Sequence, residues 1–172
     1  MFQAIGLDLS LRNTGFAVVD EHGAVKRICS FGSSLERGAT TKQKIERLVA
    51  LTQRIIKEVR HHHSEAFDAG GRTVIAIENY AFGAKGAQND LGELHGCVKM
   101  QLHLSLGLYP TMVSPSSYRK VLLGKGNATK PQSYEYAKQA LTKLGFAPSN
   151  NDEADAYLVA EWLRRATLEE VE

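Results

Sequence analysis

Apolar and polar positions change period several times along the chain, and each change marks an element. Ala4–Leu9 is a short apolar run ending in Asp8-Leu9-Ser10, which predicts a strand that delivers a carboxylate at its end. Gly15–Asp20 (GFAVVD) predicts a second strand, and Glu21-His22-Gly23 a turn. Ala24–Gly32 predicts a third, with Val25, Arg27, Cys29 and Phe31 on one face and Lys26 and Ile28 on the other. Two short links in succession favour an antiparallel meander. The period then turns helical: Ile45, Leu48, Val49, Ile55, Ile56 and Val59 share one face. Arg60–Arg72 is polar and contains Gly70-Gly71, so it is expected to be a loop, with His61-His62-His63 as a solvated turn rather than a metal cluster. Thr73–Glu78 (TVIAIE) is a β-branched strand that again finishes on a carboxylate.

Asp90 with Glu93 three residues on has the form of a capping box and opens a helix to about Ser105. Gly107 and Pro110 bracket its exit, and Tyr109–Val113 predicts a short fifth strand. Ser114-Pro115 is an N-cap with proline at the first helical position, and Gly124 ends that brief helix. After the basic loop Gly124–Thr129, Pro131 to Leu144 carries Tyr134, Ala137, Leu141 and Leu144 at helical spacing, with Gly145 beyond the end. A last helix runs from near Asn151 toward Arg165. The order is β-β-β-α-β-α-β and then helices, an α/β chain whose five-stranded mixed sheet has three antiparallel strands and then parallel additions, flanked by helices. No repeat, low-complexity tract or linker interrupts it, so residues 1–172 are expected to form a single domain.

A hydrophobic fraction of 43% and a charged fraction of 23% exclude disorder as the default. No apolar run approaches the roughly 20 residues that span a bilayer. The start, Met1 to Asp8, has no basic segment and meets an acid early, which argues against a signal peptide and for a cytoplasmic protein. Cys29 and Cys97 lack metal-ligand spacing and are expected to be buried free thiols. The net charge of +2 is uninformative, but its distribution is not. From Leu94 to Tyr134 there is no Asp or Glu, while Lys99, Arg119, Lys120, Lys125 and Lys130 fall there; the end of the chain concentrates carboxylates. One stretch can therefore face a polyanion.

Asp8 and Glu78 end apolar strands, where unpaired charge is costly. Asp152 and Asp155 lie three apart at the start of a helix and project from one face. Each has an ordinary explanation: Asp8 as a turn former, the Asp152/Asp155 pair as helix N-terminal acids. Together, with no matching set of His or Cys, they make a hard-oxygen site suited to Mg²⁺ or Mn²⁺ rather than zinc.

Gly6-Leu7-Asp8, Thr14-Gly15, Ile77-Glu78, the loop from Gly124 to Lys130 and Asp152-Glu153-Ala154-Asp155-Ala156 resemble the RuvC Holliday-junction resolvases, in that family's order and over nearly the whole chain. The resemblance implies an RNase H-like fold, two divalent ions per active site (Mg²⁺, with Mn²⁺ able to substitute), and a homodimer that nicks four-way DNA junctions in pairs. By position it makes Asp8, Glu78, Asp152 and Asp155 the metal-binding acids and Lys130 a basic catalytic residue near the scissile phosphate. Bacterial members typically follow the first Asp with Pro-Gly, where this chain has Leu9-Ser10, which suggests a divergent, phage-type member.

Arg119, Lys120, Lys125 and Lys130 are the candidate phosphate contacts. Tyr80 and Phe82, beside Lys85 in a glycine-containing loop, are candidates to meet DNA at the branch point, with core packing as the competing reading of either ring. The rivals are a broader branched-DNA or flap nuclease, a YqgF-type RNA-processing nuclease, and a non-catalytic junction-binding protein. The sequence specifies no partner helicase. The dimer is expected to form on the helix from about Asp90 to Ser105, where Leu91, Leu94, Val98 and Leu102 make one stripe. Cys97, Met100 and Leu104 widen it, and Gly92 and Gly96 permit close approach.

Overall fold

Three strands laid down in succession, β1 (Phe2–Asp8), β2 (Thr14–Asp20) and β3 (Val25–Phe31), pair as the expected antiparallel meander in a computed structural model that describes residues 1–35, 38–79 and 88–170. β4 (Arg72–Glu78) then adds parallel to β1, and β5 (Thr111–Val113) parallel to β4. The sheet order is β3-β2-β1-β4-β5, so β1 is the middle of five strands.

Strand alternation divides the core in two. Ile5, Leu7, Phe16, Val18, Ile75 and Ile77 face α1 (Thr41–Asp68) and α2 (Gln88–Leu106). Ala4, Ala17, Val19 and Ala76 face α3 (Pro115–Leu123), α4 (Lys130–Lys143) and α5 (Asn151–Glu169). The residues on the second face are small because α5 lies close against the sheet. A Cβ on Gly6 would fall 2.2 Å from the Ala156 carbonyl oxygen, and one on Gly15 would fall 1.9 Å from that of Asp152. Both glycines of the motifs singled out above are thus needed for backbone-to-backbone approach of α5, which carries Asp152 and Asp155.

Local signals set the remaining ends. Ser114 accepts from the Ser117 amide, with Pro115 in the first turn of α3, and Gly124 closes that helix at φ 73°. Thr129 and Gln132 form a reciprocal capping box at the start of α4. Cys29 and Cys97 are free, though half-buried rather than buried. Among the described residues no helix is long and apolar enough to cross a membrane.

Four expectations need correction. The segment after Val59 is not a loop: α1 continues to Asp68, and His61-His62-His63 is helical. The buried face runs Leu48, Leu51, Thr52, Ile55, Ile56, Val59 and His62, so a histidine carries the stripe where the apolar pattern stops. Ile45 and Val49, expected on that face, are 55% and 49% exposed. In β3, Val25 does not share a face with Cys29 and Phe31; it packs with Ile28 on the α5 side. The cause is a register shift in which Val18 pairs with Arg27 but Val19 with Val25, so the extra residue Lys26 reverses the alternation. Finally, α2 begins at Gln88, so Asp90 is a first-turn acid rather than an N-cap.

Candidate active site

Parallel pairing of β1 with β4 sets Leu7 beside Ile77, so the next residues, Asp8 and Glu78, end adjacent strands on the α5 face. Asp155, in the first turns of α5 and 3% exposed, meets them there. One carboxylate oxygen from each of Asp8, Glu78 and Asp155 lies within 4.8 Å of the other two. Asp152 is adjacent rather than part of this trio. Its Oδ2 accepts from Asn13 Nδ2 at 2.7 Å, and its charge still acts on both Asp8 and Asp155.

Burial and mutual repulsion raise the pKa of these acids. The Asp8 pKa is raised well above the usual range, first by desolvation and then by Glu78, Asp155 and Asp152, with Lys130 opposing. Glu78 is pushed up to about 7 by burial and by Asp155, against the Tyr118 hydrogen bond, Lys130 and Arg119. Asp155 is raised by burial, against Lys130, Arg119 and Tyr118. Lys130 Nζ stands 3.9 Å from Asp155 Oδ2 and is 66% exposed, so it compensates only part of this charge. Three carboxylates, Asp155 buried and Asp8 and Glu78 half-buried, with no His or Cys among them fit a hard divalent cation.

Tyr118 belongs to the site and was not singled out from the sequence. It is fully buried, and its hydroxyl donates to Glu78 Oε2 at 2.9 Å with Asp155 Oδ1 at 3.3 Å. Burial, and then the two carboxylates, push its own pKa far up, so it remains a donor. Its position in α3, four residues before the buried Leu122, reads in sequence only as a core aromatic.

Arg119, a candidate phosphate contact, is half-buried. Its guanidinium lies 5.6 Å from the Tyr118 ring centroid and donates to the Ala128 carbonyl at 3.2 Å, and its charge acts on Glu78 and Asp155. Lys120 and Lys125 are exposed. Tyr80, Phe82 and Lys85 lie outside the described residues.

The family model for crossover junction endodeoxyribonuclease RuvC matches residues 4–161. The chain belongs to the RuvC family. A RuvC of Rhodopseudomonas palustris is 31% identical over 158 residues, spanning 91% of this chain and 83% of that protein. A Thermus thermophilus RuvC structure superposes with a TM-score of 0.75 at 19% identity, covering 97% of this chain and 96% of the other. The T. thermophilus RuvC in complex with a Holliday junction substrate gives 0.73 at 18%, covering 98% and 96%. At such identities the superpositions speak for the fold alone, which is the RNase H-like fold of RuvC. Membership of the RuvC family makes the chain an endodeoxyribonuclease.

Proposed function

We propose that the chain resolves four-way DNA junctions by paired nicks, using two Mg²⁺ ions held by Asp8, Glu78 and Asp155 with Asp152 beside them. The convergence of three mutually repelling carboxylates from β1, β4 and α5, Asp155 buried and the other two half-buried, carries this reading. Bound divalent ions supply the positive charge that an in-line displacement at phosphorus needs and lower the pKa of an attacking water. Tyr118 holds Glu78 and Asp155 in place, and Asn13 holds Asp152. Lys130, close to Asp155 yet largely exposed, can reach a phosphate at the centre. Lys120 and Lys125 offer sequence-independent phosphate contacts, and Tyr80, Phe82 and Lys85, just past Glu78, remain candidates for the branch point.

A homodimer supplies two such sites to the two equivalent strands of a junction. Leu94, Val98 and Leu102 of α2 are fully buried within the chain and so are not the interface. Met100 and Leu104 stay 53% and 68% exposed, and a Cβ on Gly96 would meet nothing within 4 Å, so that side of α2 is open to a second helix. Sedimentation of Leu104→Glu against the unaltered protein tests it; a parent that is monomeric while resolving junctions removes the dimer.

Labelled four-way, three-way and flap DNA and a structured RNA, each with Mg²⁺, Mn²⁺ or EDTA, test the function. Symmetric paired nicks confined to the four-way substrate with metal are expected. Equal cutting of flaps, cutting of RNA, or binding without cutting would each establish one of the rivals instead.

A further inference from the structure

At the opposite end of β1 from Asp8, the surface opens into a cleft of about 790 Å³ that reaches the C-terminal half of α1. Several carboxylates line it, and most have a cation. Asp20 pairs with Lys26 at 3.0 Å, Glu21 with the N-terminal ammonium at 3.5 Å, and Glu58 with Arg27 at 3.9 Å. Glu65 differs. Among the described residues its ion-pair partners are two imidazoles: His61 Nε2 lies 3.4 Å from Oε1, and His62 Nδ1 lies 3.0 Å from Oε2.

The His62 ring is held in place. Its side chain is 8% exposed and stacks on Phe16 with ring centroids 5.9 Å apart, and its backbone carbonyl accepts from the Gln3 side-chain amide. Its Nε2 is buried without a hydrogen-bond partner, so the neutral ring carries its proton on Nδ1 toward Glu65, and a metal taken at Nδ1 would move that proton to Nε2 at the cost of an unsatisfied buried donor. Desolvation by burial lowers its pKa, against Glu65. His62 therefore stays neutral near pH 7, and Glu65 is left beside two nitrogen donors with no permanent positive charge.

We propose that His61, His62 and Glu65 form a binding site for a divalent transition-metal ion of the zinc class, distinct from the acidic centre. The candidate ligand atoms, one per residue, lie within 4.8 Å of one another. Bonds of about 2.1 Å in a tetrahedral site place ligand atoms roughly 3.4 Å apart, so small side-chain rotations complete the geometry. Two imidazoles and a carboxylate select zinc, nickel or copper over magnesium, the reverse of the all-oxygen centre. All three residues line the cleft, whose rim also carries the exposed His22.

Calorimetric titration with ZnCl₂ tests this on an Asp8→Asn/Glu78→Gln double variant, in which the acidic centre has lost two of its donors. One equivalent of Zn²⁺ per chain is expected to bind saturably, with excess MgCl₂ failing to compete. Adding His61→Ala or Glu65→Gln should weaken that binding at least about tenfold, since losing even an outer-shell partner costs a metal site about 10- to 100-fold. Both side chains are more than half exposed, at 63% and 56%, so metal-free melting temperatures should not move. In the otherwise unaltered protein, His61→Ala should leave Mg²⁺-dependent nicking at the parent rate. Absence of saturable Zn²⁺ binding in the Asp8→Asn/Glu78→Gln double variant, or binding in both added variants within about twofold of it, overturns the proposal.

Discussion

Asp155 and Glu161 sit on the same helix and are almost equally buried, at 3% and 6% exposure, yet their surroundings are opposite. Glu161 accepts from Arg164 at 2.7 and 2.9 Å and from Arg165 at 2.7 Å, which holds its pKa below the usual range despite burial. Asp155 faces Asp8 and Glu78, with Lys130 at 3.9 Å as partial relief, and its pKa is raised. A buried charge surrounded by its counter-ions serves the fold. A buried charge surrounded by like charges opposes the fold and persists because something outside the chain is to be held there.

The largest effect should come from removing one member of the repelling set. Asp8→Asn is expected to lower junction nicking by at least about 1000-fold while leaving binding near normal, and to raise the melting temperature of protein in EDTA. Substantial residual nicking would remove Asp8 from the centre, and an unchanged or lower melting temperature would contradict the repulsion. Glu161→Gln should behave in the opposite way, losing roughly 2–3 kcal/mol of stability on denaturant titration with nicking retained.

Acidity separates the two regions next. Glu78 binds its proton more tightly folded (pKa about 7) than at its ordinary 4.5, so ionising it opposes folding. The metal-free protein should therefore gain stability as pH falls from about 7 to 4.5, by on the order of 3 kcal/mol relative to Glu78→Gln. Glu161 has the other sign: its contribution is present above the ordinary Glu range and is lost only as pH falls through its lowered value. Thermal melts of parent and Glu78→Gln across this range read the difference, and parallel curves would refute it.

Tyr118→Phe removes only the hydroxyl between Glu78 and Asp155, so about 1 kcal/mol of stability and about tenfold in the Mg²⁺ concentration for half-maximal nicking are expected. A loss of stability with no change in Mg²⁺ dependence would leave Tyr118 as core packing alone. Smallest of all, Lys125→Ala should weaken junction binding modestly and lower its salt slope by about one, whereas Lys130→Ala should affect nicking more than binding. Equal effects of the two on both assays would erase the distinction between them.

Much of this was legible in the linear pattern. Short continuous apolar runs ending in Asp8 and Glu78 mark both strands and their terminal acids, and parallel register then sets the two acids side by side. Gly6 and Gly15 stood out in the sequence only as members of family-like motifs; the close approach that requires them appears once α5 is in place. The tertiary structure alone decided the rest. It chose Asp155 over Asp152 for the trio, placed the Tyr118 hydroxyl between two carboxylates, and turned Val25 to the far face through one extra residue in β3. It also extended α1 through a histidine-rich stretch and buried Val98 while leaving Leu104 outside. Periodicity states which side of an element is apolar. Which neighbour covers that side, and which charges have company there, depends on elements distant in sequence, and only their packing determines it.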